Sequence, residues 1–118
     1  MNTRAIVDGY FAALRSGKGW QEYFADGMRF VSHVAPTREL AGRQAFVGGT
    51  ARFYGSIRSF EVGQVLVDGD GAVALTSYQI QPPGNAPAFQ CDVAEVFRVR
   101  GDKIIGLEIY FDSAPFPK

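Results

Sequence analysis

Glu95 places a carboxylate in the middle of an apolar row. Residues Phe89 to Arg100 alternate with the period of a strand. Counting by two puts Cys91, Val93, Glu95, Phe97 and Val99 on one face and Gln90, Asp92, Ala94, Val96, Arg98 and Arg100 on the other. A carboxylate on the apolar face must find a partner, take up a proton, or line a cavity that admits ligand or water, because an unpaired buried charge is not tolerated. Desolvation raises the pKa of such a group toward neutrality, where it can donate a hydrogen bond or act as a general acid-base. The plainer alternative is a structural carboxylate paired with Tyr10 or an arginine.

Four more polar side chains stand where they could join it. Tyr10 sits in an apolar helical stripe, and a buried phenol needs a partner that Glu95 could supply. Ser32, Ser77 and Gln79 fall on inferred inward strand positions as polar anchors of an apolar cavity. Trp20, Phe24, Phe30, Phe53, Leu75, Val93, Phe97 and Phe111 would form its walls, or simply fill the core. His33, the only histidine, has a suitable reference pKa of about 6.5, but strand parity turns it away from Ser32, and only a bulge would bring it inside. With one histidine and no clustered acids, no metal site is expected, and nothing calls for a cofactor. Cys91 reads as a small core hydrophobe, since no nearby cation or helix start favours its thiolate.

The elements that must hold these groups follow from hydrophobic periodicity. Ile6, Val7, Tyr10, Phe11 and Leu14 form the stripe of an amphipathic helix over Thr3 to Ser16, capped by Asn2 or Thr3 and ended by Gly17. A short helix is predicted at Trp20 to Phe24, a turn at Ala25-Asp26-Gly27, and a strand at Met28 to Val34. A loop through Pro36 leads to a third helix over Arg43 to Tyr54, in which Gly48 and Gly49 permit close packing on a sheet. From Ile57 onward the period changes to two. Strands are predicted at Ile57 to Val67 and Ala72 to Gln81 around Asp68-Gly69-Asp70-Gly71, then at Phe89 to Arg100 and Lys103 to Phe111 around Gly101-Asp102. The connection Pro82-Pro83-Gly84-Asn85-Ala86-Pro87 cannot be a strand interior.

Helices followed by a meander of long strands imply an α+β domain, with three N-terminal helices packed on one face of a strongly bent antiparallel sheet. At 118 residues the chain is expected to be one domain, 1–118. Val96, Glu108 and Tyr110 make the other sheet face partly apolar, which predicts a homodimer through that face. Twelve basic and twelve acidic residues cancel without forming a stripe, so nucleic acid is not an expected partner. No apolar run approaches the roughly 20 residues that span a bilayer, and no basic region precedes an apolar stretch at the N-terminus. A cytoplasmic protein without membrane association is the expectation.

The order of these elements, with Asp8-Gly9-Tyr10-Phe11, Phe24-Ala25-Asp26, Leu40-Ala41-Gly42-Arg43, Asp92-Val93-Ala94-Glu95-Val96-Phe97-Arg98 and Ile109-Tyr110-Phe111, resembles the NTF2-like superfamily. Within it, the chain resembles the SnoaL-like and ketosteroid isomerase-like branch. The resemblance covers nearly the whole chain. It implies a conical half-barrel with the helices on its concave face, a deep apolar pocket and a dimer. In the isomerases, a first-strand aspartate moves the proton, while a helix-one tyrosine and a protonated strand acid bind the dienolate oxygen. By motif, Tyr10 and Glu95 fall on the two donor positions, and Ser32 replaces the aspartate. An unactivated serine hydroxyl cannot take a proton from carbon near neutral pH. What remains is an isomerase, cyclase or dehydratase acting by proton transfer on a hydrophobic carbonyl compound, with Glu95, His33 or a held water as base. The alternatives are a module that binds a small apolar molecule without chemistry, or a dimerisation domain with a vestigial pocket.

Overall fold

The amphipathic stripe of the N-terminal segment does become a helix, α1 (Thr3–Ser16), which buries Ile6, Val7, Tyr10 and Phe11. Of its two candidate caps Asn2 is the one used: its side chain accepts from the Ala5 N–H at 2.8 Å, while the Thr3 hydroxyl donates to the Gly69 carbonyl. Gly17, at φ 85°, turns its N–H back to the carbonyls of Ala13 and Leu14 and closes the helix. Replacing Asn2 by alanine orphans one of these N-terminal donors, and is expected to cost about 1 kcal/mol in chemical denaturation.

The computed structural model describes residues 2–116. After α1 come a 3-10 turn (Trp20–Tyr23), β1 (Phe24–Ser32), β2 (Arg38–Ala41), α2 (Arg43–Gly49), α3 (Ala51–Gly55), β3 (Ile57–Asp68), β4 (Gly71–Ile80), β5 (Phe89–Arg100) and β6 (Lys103–Phe111). The strands form one sheet in the order β2-β1-β6-β5-β4-β3. It is a curved, unclosed NTF2-like α+β cone with the helices on its concave side. Its neighbours pair antiparallel except β1 and β6, which run parallel, so the sheet is mixed rather than wholly antiparallel.

Three local departures from the periodicity have physical causes. The Ala25-Asp26-Gly27 turn is absorbed into β1 as an irregularity: Phe24 pairs with Ile104 but Arg29 already pairs with Gly106. Arg43 fastens this bulge, reaching the Asp26 carboxylate at 2.8 Å and the Phe24 carbonyl at 3.3 Å. Four residues read as loop, Arg38–Ala41, form the edge strand β2 against β1. The single helix expected over 43–54 is two, parted at Thr50, whose hydroxyl donates to the Phe46 carbonyl at 2.7 Å and whose ψ of 7° leaves the helical region. Gly49 allows β2 to come close, since a Cβ there would lie 2.6 Å from Leu40 Cδ1. Gly48 has open space around it, and nothing in the structure explains it.

The core sits between α1 and the concave face and is aromatic at its centre. The Tyr10 ring packs edge-on against Phe24, Phe97 and Trp20 and tilted against Phe11, at centroid distances of 5.0 to 6.3 Å. Behind it Trp20 stacks on Tyr54 at 4.1 Å. Beside this cluster lies a hollow bordered by β2 and α3.

Candidate functional site

That hollow is a cavity of about 180 Å³. Phe30 and Ser32 of β1, Arg38 of β2, Thr50, Phe53 and Tyr54 of the broken helix, Tyr78 of β4, Val93 and Glu95 of β5, and Leu107, Ile109 and Phe111 of β6 line it, with Phe116 near its edge. The sheet delivers the polar groups by alternation. Glu95 lies opposite Ala74 on β4 and opposite Ile109 on β6, so the inward rows of β4 and β6 flank its carboxylate.

Glu95 is only 3 % exposed. Its carboxylate accepts from the Tyr78 hydroxyl, which sits 3.0 Å from Oε1 and 2.9 Å from Oε2. No arginine or lysine pairs with it among the described residues. Burial pushes its pKa up to about 7, against the opposing pull of the Thr76 and Tyr78 hydroxyls. Thr76 Oγ1 is buried, and close enough to favour the carboxylate without forming a hydrogen bond of ordinary geometry. The result is an acid that exchanges a proton near neutrality inside an apolar chamber. Because Tyr78 stabilises the charged form, Tyr78→Phe is expected to raise the Glu95 pKa by a further one to two units, roughly the worth of a hydrogen bond to a charged group. An NMR titration of the labelled glutamate carboxyl measures it.

Three phenols surround this one acid, and burial before all else keeps their pKa values above the ordinary tyrosine value. The Glu95 charge adds to the effect at each. They therefore remain protonated donors at neutral pH. Tyr10 does not reach Glu95 or the cavity wall; its hydroxyl lies 2.6 Å from that of Tyr54, which does line the cavity. The expected Tyr10 to Glu95 pair is thus replaced by two shorter links, Tyr10 to Tyr54 and Tyr78 to Glu95. Tyr10 is completely enclosed by rings, which leaves it no path to a ligand except through Tyr54.

The other expected site residues divide cleanly. Ser32, Phe30, Phe53, Val93 and Phe111 stand on the cavity wall with Glu95. Trp20, Phe24 and Phe97 do not; they are spent in the aromatic core around Tyr10. Leu75, Ser77 and Gln79 are a correction of face: β4 turns Ala72, Ala74, Thr76, Tyr78 and Ile80 inward, leaving Leu75 44 % exposed outside. There the Ser77 hydroxyl donates to Asp92 at 2.7 Å and Gln79 to Gln90 at 3.3 Å. His33 also lies outside the cavity, 2.6 Å from Glu108 and stacked on Tyr110 with ring centroids 4.4 Å apart. The Cys91 thiol is pushed up to about 11 by burial and then by nearby carboxylates, and so remains an unreactive core group. Sequence reasoning missed Tyr78, Tyr54 and Thr76. The β4 pair follows from the register once it is known, since the residues facing the same side as Glu95 alternate from Ala74.

The sequence model of the SnoaL-like domain matches residues 7–107. No curated protein matches the chain significantly in sequence. Among solved structures, an NTF2-like protein from Burkholderia thailandensis superposes with a TM-score of 0.82 at 19% identity, over 96% of this chain and 92% of that one. A protein assigned as a SnoaL-like polyketide cyclase from Mesorhizobium loti gives 0.78 at 18% identity, over 93% and 99%. A protein with a ketosteroid isomerase-like fold from Catenulispora acidiphila, solved with trimethylamine, gives 0.73 at 24% identity, over 91% and 85%. At these identities the likeness is one of fold.

Proposed function

We infer, for a chain that belongs to the SnoaL-like domain family, that it catalyses proton transfer on a hydrophobic carbonyl compound, as an isomerase, cyclase or dehydratase. The observation that carries this reading is Glu95, a buried acid on a cavity wall with a pKa of about 7 and no cationic partner among the described residues. A general base works best when its pKa lies near the operating pH. The Glu95 carboxylate would take a proton from the carbon next to the carbonyl. The oxygen of the resulting enolate would accept from Tyr54, whose own oxygen can accept from Tyr10, so that the donor's proton points into the cavity. Tyr78 would hold Glu95 in place, and Ser32, which cannot itself act as base, would anchor the substrate. Returning the proton to a different carbon completes an isomerisation with no other reactant.

The test is deuterium exchange at the α-carbon of hydrophobic ketones in heavy water, followed by NMR. Exchange faster than the buffer rate supports the reading. One observation favours a second reading, a binding module without chemistry: the cavity wall carries Ser32 at the position that the resemblance to the isomerases assigns to their base. Ligands that raise the melting temperature but exchange no faster than in buffer would select it. For assembly, the outer sheet face with Leu75 and Tyr110, 44 % and 49 % exposed, is the surface through which two copies would pair. Sedimentation equilibrium tests that pairing directly.

A further inference from the structure

The cavity continues outward. The inner chamber shares Arg38, Gly49, Phe53 and Phe116 with a second chamber of about 390 Å³ beside the 82–86 connection. This outer chamber is lined by two arginines, Arg38 from β2 and Arg52 from α3, and by no aspartate or glutamate. Three arginines are paired with carboxylates: Arg29 with Glu39, Arg43 with Glu22 and Asp26, Arg98 with Asp70. Among the described residues, Arg38 and Arg52 make no ion pair.

The direction of Arg38 is set by the fold. It lies opposite Ser32 in the β1 to β2 ladder, and its guanidinium rests over Gly49, where a Cβ would come within 2.9 Å of Nη2. The glycine thus clears a place for the charge at the junction of the two chambers. Two unpaired cations on one concavity with apolar walls repel each other and concentrate positive potential there. The planar guanidinium fork fits a carboxylate or phosphate better than any neutral group.

We propose that the outer chamber binds an oxyanionic end group, so that the substrates of this chain are amphipathic: a carboxylate or phosphate held by Arg38 and Arg52, an apolar body, and a carbonyl at the inner end. The placement of the carbonyl rests on the proton-transfer reading above; the anion site stands on the outer chamber alone. Neutral ketones of equal size would bind, but about ten-fold more weakly than their anionic counterparts.

The test uses binding rather than turnover. Methyl-ketone fatty acids of increasing length, their methyl esters and the corresponding ketone-bearing alkyl phosphates are titrated by calorimetry into the protein and into the Arg38→Gln, Arg52→Gln double variant. The best acid or phosphate is expected to bind at least about ten-fold more tightly than its ester, the worth of one charge-assisted hydrogen bond. That advantage should shrink with added salt and fall to about one in the double variant. The ratio of acid to phosphate then tells which end group the chamber prefers. Equal binding of anion and ester, an advantage that survives in the double variant, or no binding of either form overturns the proposal. Anion preference without α-proton exchange would sink the proton-transfer reading and leave the anion site standing; exchange without anion preference would do the reverse.

Discussion

Glutamine at position 95 is expected to slow α-proton exchange on a hydrophobic ketone by about 10²- to 10⁴-fold, the range that a positioned acid-base group contributes. Glutamine has nearly the shape of a protonated glutamate and can still accept from Tyr78, so the variant should fold and still bind ligand. The loss should appear in the rate and leave affinity nearly unchanged, because the proton acceptor is removed while the walls remain. Wild-type exchange should in turn rise with pH through about 7 and then level off, as the carboxylate form becomes fully populated. A variant that exchanges as fast as wild type would show that the base lies elsewhere, and a flat pH profile would show the same by a second route.

The same carboxylate should govern stability against pH, in the direction opposite to an ordinary surface acid. Its folded pKa of about 7 lies above its ordinary value of 4.5. Between these values the folded protein holds a proton that the unfolded chain has released, so unfolding releases a proton and stability falls as pH rises through this window. At acid pH the penalty is absent; above neutrality it is complete, at about 3 kcal/mol for a shift of this size. Urea denaturation of wild type and Glu95→Gln at several pH values isolates the effect. The glutamine variant should gain on wild type by about 3 kcal/mol between pH 4.5 and pH 8, and parallel curves for the two proteins would refute a buried, titrating Glu95. A ligand that accepts a hydrogen bond from the protonated acid would oppose this loss, which ties binding to the same proton.

Much of this was legible in the sequence where periodicity and turn chemistry agreed. The bounds of β5 and β6 came out as Phe89 to Arg100 and Lys103 to Phe111, because alternation on both sides of Gly101-Asp102 leaves one register. The inward direction of Glu95 followed from the same count. On β4 the count failed for a physical reason. Val73, Leu75, Ser77 and Gln79 on one face are about as apolar as Ala72, Ala74, Thr76 and Tyr78 on the other. Without the β4 to β5 register, hidden by the proline-rich connection, nothing in that strand says which set is inside. Edge strand β2 was equally silent: Arg38–Ala41 is short, with only Leu40 partly buried. Tyr54 escaped because the break at Thr50 resets the helical phase, so faces cannot be counted through from Arg43.

The parallel seam between β1 and β6 also sets an order of events. At His33 and Glu108 it joins residues 75 apart in sequence, the costliest closure in the sheet. The β3 to β6 meander can zip by local hairpins, each strand meeting the one before it. The segment from α1 to α3 has no sheet of its own beyond the four-residue β2 ladder and joins the rest of the sheet only through β6. Until then the wall carrying Ser32 and Arg38 is missing, Glu95 is open to water, and its proton affinity is that of any solvated carboxylate. The chamber is therefore complete, and its unusual acid comes into being, only when β1 docks beside β6.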